Sequence, residues 1–113
     1  MTHEMKLSAA PFALIKSGIK TVEMRLYDEK RRKVSEGDII KFTSTEGGES
    51  ISVKVKRMRV YRDFEELYES HSPLEIGYTD GETADPEDML AYYSPENIAR
   101  WGVVAIKIER IMR

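Results

Sequence analysis

Residues 16–25, KSGIKTVEMR, contain the end of a predicted helix, a turn and the start of a predicted strand. Gly18 is the kind of residue that ends a helix, because glycine readily adopts the left-handed conformation at the position after the last turn. From Thr21 onward, polar and apolar residues alternate, so Glu23 and Arg25 share one face of the strand and the apolar residues share the other. The pattern predicts a half-buried strand with a polar face.

The chain on either side of this segment predicts a regular succession of short elements. We expect strands at 5–7, 39–42, 50–60 and 103–108, a helix capped by Ser8, a charged helical turn at 28–33, helices beginning at Asp63 and at Asp85, a short turn at 95–99 and an irregular loop at 72–84. This order predicts one α+β domain over residues 1–113, a small β-barrel of about five to six mostly antiparallel strands with helices at its ends.

The long strand at 50–60 changes its pattern halfway. Apolar residues stand at odd positions up to Val55, and then at Met58 and Val60, after the pair Lys56–Arg57. An extra residue in the strand would restore a common face, so we predict a β-bulge here. Bulges of this kind help a sheet to bend into a barrel.

Composition excludes several kinds of site. The 113 residues contain no cysteine, which excludes disulfides, a thiolate zinc site and a cysteine nucleophile. His3 and His71 are far apart in sequence, so we expect no metal site and no cofactor. We see no apolar run long enough to span a bilayer and no signal peptide. We therefore expect a cytoplasmic protein without membrane contact, and nothing in the sequence demands more than a monomer.

Charge is divided unevenly along the chain. Residues 1–62 hold 14 Lys/Arg and 8 Asp/Glu, a net +6, whereas residues 63–113 hold 4 and 12, a net −8. One interpretation is a basic surface for a polyanion. The other is that the two halves carry ordinary solvated charge that pairs within the fold. Charge alone does not decide between them.

Four segments together resemble one family. KSGIKTVEMR resembles the SGxKTxExR signature of ASCH domains, and GDIIKF at 37–42, FEELY at 64–68 and GVVAI at 102–106 are similar to later motifs of that family in the same order. The resemblance implies a PUA-like β-barrel with a cleft lined by the first motif. Members of the family have been linked to binding of RNA or DNA, cleavage of RNA, or hydrolysis of acetylated cytidine. The fold does not choose between these activities.

The first hypothesis is a module that binds RNA or a nucleotide in a cleft formed by Lys20, Glu23 and Arg25. Arginine suits bidentate contact with a phosphate or a base edge, and glutamate can accept from a cytosine amino group. A structural ion pair at the rim of the barrel is the alternative for Glu23 and Arg25. A basic surface beside the cleft would follow phosphates, with Tyr27 stacking on a base. Its members would be Lys30, Arg31, Arg32, Lys54, Lys56, Arg57 and Arg59. A solvated positive face is the alternative.

The second hypothesis is a small amidohydrolase acting on N4-acetylcytidine or a similar modified nucleoside. The resemblance implies a catalytic lysine, a threonine three residues later and a glutamate after the second-helix segment. Lys20 matches the lysine and Glu75 matches the glutamate, but Glu23 stands where the family has threonine. Glutamate cannot replace a hydroxyl nucleophile. Lys20, Glu23 and Glu75 could instead form an acid/base set for attack by water. Cleavage of RNA with magnesium at the two glutamates is a third, weaker possibility.

Several aromatic residues could contribute to such a cleft. Tyr78 and Thr79 lie in the irregular loop and could close over it. Tyr92, Tyr93 and Trp101 come shortly before the last strand, where aromatic rings either stack on nucleobases or pack in the fold.

Overall fold

The computed structural model describes residues 1–111. The strands are β1 (Thr2–Leu7), β2 (Val22–Leu26), β3 (Ile39–Ser44), β4 (Ser50–Tyr61) and β5 (Val103–Arg110). The helices are α1 (Ala9–Lys16), α2 (Glu29–Arg32), α3 (Phe64–Glu69) and α4 (Pro95–Trp101), with a 3₁₀ helix at Pro86–Ala91.

All five strands belong to one curled sheet. Their order is β1-β3-β4-β5-β2, with β1 parallel to β3 and the other three neighbouring pairs antiparallel. The predicted α+β barrel of mostly antiparallel strands is confirmed, as a five-stranded half-barrel with helices packed around it. Because the order begins with β1 and ends with β2, these two strands are the edges of the sheet.

The bulge lies where the sequence predicts it. Val55 is opposite Ile108, but Met58 is opposite Ile106, and the register shifts between Val55 and Arg57. The extra residue turns Met58 back to the side that Val55 faces, so both side chains pack in the same core.

Strand β5 separates two hydrophobic cores. Val104 and Ile106 pack on one side with α1, β1 and β3, in what we call the first core. Val103 and Ala105 pack on the other side with β2, α3, the 3₁₀ helix and α4. A strand that is covered on both faces needs a continuous apolar run, and this explains the sequence of residues 103–106.

Local signals set several of the boundaries. The carboxylates of Asp63 and Asp85 accept hydrogen bonds from the backbone N–H groups of the helices that follow, as predicted. The sequence after Asp85 predicts a helix through Tyr93, whereas the structure has a 3₁₀ helix that ends at Ala91. Strand β1 is longer than predicted, because it pairs with β3 along its whole length from Thr2. No helix within residues 1–111 combines the length and the hydropathy needed to cross a bilayer.

Candidate functional site

The two edges of the sheet are bridged by side chains. In the described chain β1 pairs only with β3 and β2 only with β5. The Arg25 guanidinium, from β2, donates through Nη2 to the Lys6 carbonyl at 2.8 Å. The Lys30 ammonium donates to the Glu4 carbonyl at 2.6 Å. We call the gap between β1 and β2 the seam. At the seam, side-chain donors replace a neighbouring strand as hydrogen-bond partners of the β1 carbonyls, and the barrel wall has an opening.

The polar face of β2 points into the barrel. Glu23 lies opposite Ile106 and Arg25 lies opposite Val104, so both share a side with the first core. The predicted alternation of polar and apolar residues is confirmed. The strand is not half-buried, however, because its polar face is also covered by the fold. Glu23 is only 3% exposed and Lys20 only 7%. Charged residues at such depth need partners.

Glu23 forms a buried charge cluster with Lys20 and Arg25. Its Oε1 accepts from Lys20 Nζ at 2.9 Å and from the Met24 backbone N–H at 3.1 Å. Its Oε2 accepts from Arg25 Nε at 3.0 Å and from Arg25 Nη2 at 2.9 Å. Burial acts to raise the pKa of the Glu23 carboxyl, but the attraction of Lys20 and Arg25 outweighs it and holds that pKa below its ordinary value. Glu23 is therefore ionised, and its charge fixes both cations.

The loop after α3 covers the stem of Lys20. The carbonyl of Glu75 accepts from the backbone N–H groups of Thr21 and Val22, at 3.0 and 2.9 Å. At Gly77, where φ is +109°, a Cβ would come within 3.1 Å of Lys20 Cδ. Glycine is required at this position twice over, for its backbone conformation and for the space that the lysine occupies.

A cavity of about 740 Å³ opens beside the buried charge cluster. This volume is within the usual range for small-molecule sites. Lys6, Lys20 and Arg25 supply positive charge to its wall. The loop, the 3₁₀ helix and the residues after it supply the rest of the polar and aromatic wall, including Tyr68, Tyr78, Thr79, Glu82, Asp88, Tyr92 and Tyr93. Tyr92 is 68% exposed.

Hydrogen bonds hold the tyrosine side of the cavity in place. The hydroxyls of Tyr68 and Tyr78 are 2.9 Å apart, and the Tyr78 hydroxyl donates to Asp88 Oδ2 at 2.8 Å. Burial, together with the bond to Tyr78, raises the pKa of Tyr68. Further along the loop, Glu82 accepts from both the backbone N–H and the hydroxyl of Thr79. The loop is thus tied to α3 and the 3₁₀ helix, forming an ordered wall.

Glu75 contributes only its backbone carbonyl to the cover over Lys20, and its carboxylate points toward His71. Oε1 of Glu75 lies 2.7 Å from His71 Nδ1 and accepts from the Ser72 N–H at 3.1 Å. Within residues 1–111, no hydrogen bond or ion pair joins the Glu75 side chain to Lys20 or Glu23. The structure thus brings Lys20 and Glu23 together, and it places the Glu75 carboxylate in a separate contact with His71.

The predicted basic surface divides into two parts. Near α2, Arg31 pairs with Asp28 at 3.0 Å, and the Arg32 guanidinium lies 4.4 Å from the centre of the Tyr27 ring. These side chains, like Lys30 at the seam, are engaged in contacts of the fold, and Arg32 covers a face of Tyr27. Lys54, Lys56, Arg57 and Arg59 are exposed along β4, and we call them the basic strand.

Some cavity residues were not singled out from the sequence. Lys6, Tyr68, Glu82 and Asp88 reach the cavity because the seam and the loop bring distant segments together. The alternation in β1 would have placed Lys6 opposite its apolar neighbours, but it does not reveal which strand edge lies nearby. In the part of the chain that the structure describes, no group of three or more His, Asp or Glu side chains is arranged to hold a metal ion.

Comparison with known proteins agrees with this architecture. The family model of the ASCH domain matches residues 5–112, and the chain belongs to that family. The crystal structure of the hypothetical protein PH0355 is similar at 41% identity and a TM-score of 0.83, covering 98% of this chain and 100% of that one. The solution NMR structure of protein PF0455 from Pyrococcus furiosus is 38% identical with a TM-score of 0.75, and covers 100% of both chains. No curated protein matches the chain.

Proposed function

We propose that this ASCH domain binds RNA or a nucleotide in the cavity at the seam. One observation carries the proposal: the cavity of about 740 Å³ has buried cationic donors on one wall and tyrosine rings on another. Nucleotides combine a negative phosphate with a flat aromatic base, so a site for them needs both features. The family's RNA-binding type of fold is consistent with such a ligand.

The basic strand offers a longer ligand further positive charge on β4, which lies two strands from each edge of the seam. Lys54, Lys56, Arg57 and Arg59 are solvent-exposed, and Arg57 lies opposite another cation, Lys107, on β5. Lysine and arginine on an open face attract phosphates without reading sequence. We therefore assign the cavity to one nucleotide and the basic strand to flanking phosphates.

Hydrolysis of N4-acetylcytidine is less well supported by the same geometry. It requires a group that can take a proton from water beside the substrate. The Glu23 carboxylate already accepts three hydrogen bonds and pairs with Lys20 Nζ, and the Glu75 carboxylate is turned to His71 and Ser72. The geometry favours binding over this reaction.

Binding to labelled single-stranded RNA, followed by fluorescence anisotropy, tests the proposal. We expect binding that weakens between about 50 and 200 mM salt, because phosphate contacts release counterions. Lys20→Met should weaken it about tenfold or more, since the ligand loses a hydrogen bond to a charged group. The control is Lys16→Met, which removes an exposed lysine paired with Glu49 on the surface. Thermal unfolding of both variants shows whether the fold is kept.

Two results would count against the proposal. Absence of binding by any RNA or nucleotide at low salt would reject it. Release of cytidine from N4-acetylcytidine by the wild type, absent in Lys20→Met and detected by mass, would replace it with the amidohydrolase.

A further inference from the structure

Glu23 has no hydrogen-bonding capacity left for a ligand. Two donors reach each of its oxygens: Lys20 Nζ and the Met24 N–H on Oε1, and two nitrogens of Arg25 on Oε2. A carboxylate has about four lone-pair sites, so this one is saturated. It is also held ionised by its two cations. Reading of a base amino group by Glu23 would require it to break one of these bonds.

Lys20 and Arg25, in contrast, keep donors free. An ammonium has three N–H groups and a guanidinium has five. Within residues 1–111, the hydrogen bonds and ion pairs of Lys20 Nζ involve Glu23 alone, and those of Arg25 use Nε and Nη2 but not Nη1. Both residues line the cavity. The free donors therefore belong to the wall that a ligand would touch.

The two other acidic residues of the cavity, Glu82 and Asp88, keep their negative charge but do not pair with this wall. Glu82 is occupied by Thr79, and Asp88 is occupied by the Tyr78 hydroxyl. No ion pair in the described part of the chain joins either carboxylate to Lys20 or Arg25. Two cations and one carboxylate leave the buried charge cluster with a net +1, and the exposed Lys6 also lines the cavity. With Glu82 and Asp88 the lining as a whole is formally neutral, so the positive charge is confined to the part of the wall formed by the cluster.

We propose that this wall holds an anionic phosphate group of the bound nucleotide, through Lys20, Arg25 and Lys6, and that Glu23 is a positioning residue that does not read the base. A buried net positive charge with free donors is best satisfied by an anion. The two N–H groups of Arg25 Nη1 and the ammonium of Lys20 suit the oxygens of a phosphate. The sugar and base then lie toward the tyrosines. This inference rests on the proposed function and names the chemical group that the cavity selects.

Calorimetric titration with matched ligands tests the selection. The ligands are the four ribonucleosides, their 3′- and 5′-monophosphates, and dinucleoside monophosphates. We expect a monophosphate to bind at least about tenfold more tightly than its own nucleoside at about 50 mM salt, because it forms a charge-assisted hydrogen bond that the nucleoside lacks. A diester that binds as well as the monoester would identify an RNA chain as the source, and preference for the monoester would identify a free nucleotide.

Three variants assign the roles. Lys6→Ala, at an exposed position, should lower the affinity for the monophosphate a few-fold and leave that for the nucleoside unchanged. Arg25→Lys keeps the charge but loses the planar donor pair, so it should lower monophosphate affinity more than Lys6→Ala does. Glu23→Gln should leave the ranking of the four bases unchanged, since Glu23 only positions its neighbours. Lys16→Ala should change neither affinity.

The outcomes separate this inference from the function on which it rests. A nucleoside that binds as tightly as its monophosphate, or a Lys6→Ala variant that loses both equally, would overturn the phosphate assignment and leave nucleotide binding standing. A change of base preference in Glu23→Gln would overturn the positioning role. If no ligand of the series and no RNA binds, both fail. If Arg25→Lys does not fold, the comparison of ligands and the Lys6→Ala variant still decide.

Discussion

Two sets of positive charge on this barrel have the same residue types and opposite surroundings. Lys20 is buried and the Arg25 side chain is 12% exposed at the seam, where each lies 2.9 Å from the Glu23 carboxylate. The basic strand is exposed, and its one ion pair in the described chain, between Lys56 and Glu109, is loose at 3.8 Å. The first set is held in a defined geometry beside a cavity, whereas the second is open to solvent.

The difference shows that surroundings decide what a cation can recognise. Buried charges interact strongly, are weakly screened by salt and present donors at fixed positions. Exposed charges attract any polyanion and are screened within about 10 Å at ordinary salt. The buried set is therefore suited to selecting one chemical group, and the basic strand to increasing affinity without selection.

Among the changes that test this contrast, loss of the Glu23 charge should have the largest effect on stability. Glu23→Ala leaves the buried Lys20 and the largely covered Arg25 without a counterion, so we expect the free energy of unfolding to fall by about 3–5 kcal/mol. The matched control is Glu49→Ala, which breaks an exposed pair with Lys16 and should cost about 0–1 kcal/mol. Urea denaturation of both variants gives the comparison. Equal losses of stability in the two variants would mean that the buried charge cluster stabilises the fold no more than a surface ion pair does.

The dependence of stability on pH should also test the buried charge cluster. The pKa of Glu23 in the folded protein is lowered from its ordinary value of 4.5, so the unfolded chain binds its proton first as the pH falls. Its contribution to stability is complete above about pH 4.5 and is lost as the pH falls through the folded pKa. Glu23→Gln lacks this contribution, so its stability should fall less between neutral pH and pH 3 than that of the wild type.

Two other carboxyl groups also have lowered pKa values, so the pH dependence of the wild type alone does not isolate the contribution of Glu23. The hydrogen bond from His3 lowers the pKa of Asp38, and the backbone N–H of Thr79 lowers that of Glu82. Both also favour the folded state above their unfolded pKa. The difference between wild type and Glu23→Gln is therefore the quantity to measure, with Glu49→Gln as a second reference. An unchanged pH dependence in Glu23→Gln would contradict the assignment.

A smaller effect is expected at the loop that covers Lys20. Gly77→Ala and Gly47→Ala both place a side chain at positive φ, +109° and +84°, at a cost of about 1–2 kcal/mol each. Only at Gly77 does the new Cβ meet a neighbour, Lys20 Cδ at 3.1 Å. Gly77→Ala should therefore also weaken nucleotide binding, because the lysine must shift. Equal binding by the two variants would show that the position of Lys20 is not set by this contact.

The smallest effect on stability is expected from the basic strand. Removing Lys54 and Arg57 together should change the free energy of unfolding by less than about 0.5 kcal/mol per site. It should lower RNA affinity and reduce the slope of log K against log salt by about one for each phosphate that the protein no longer touches. Lys41→Ala on β3 is the control at another exposed lysine. A double variant with unchanged salt dependence would remove the basic strand from the binding surface.

Local sequence predicted the secondary-structure elements well and the tertiary contacts between them poorly. The alternation in β2, the bulge after Val55, and the caps Asp63 and Asp85 depend on residues close in sequence, and the structure confirms them. The bond of Arg25 to the Lys6 carbonyl and the covering of Lys20 by Gly77 depend on distant chain segments. Residue type and periodicity contain no information about these.

The sequence by itself determined the order of strands and helices, the family, and the polar strand face of Glu23 and Arg25, because turns, caps and periodicity are short-range properties. Only the tertiary structure decided that this face lies inside the barrel, that β1 and β2 stay apart at the seam, and that a tyrosine-lined loop closes a cavity beside it. The physical reason is that burial and charge pairing are set by which distant surfaces meet when the sheet curls, and a one-dimensional pattern does not specify that meeting.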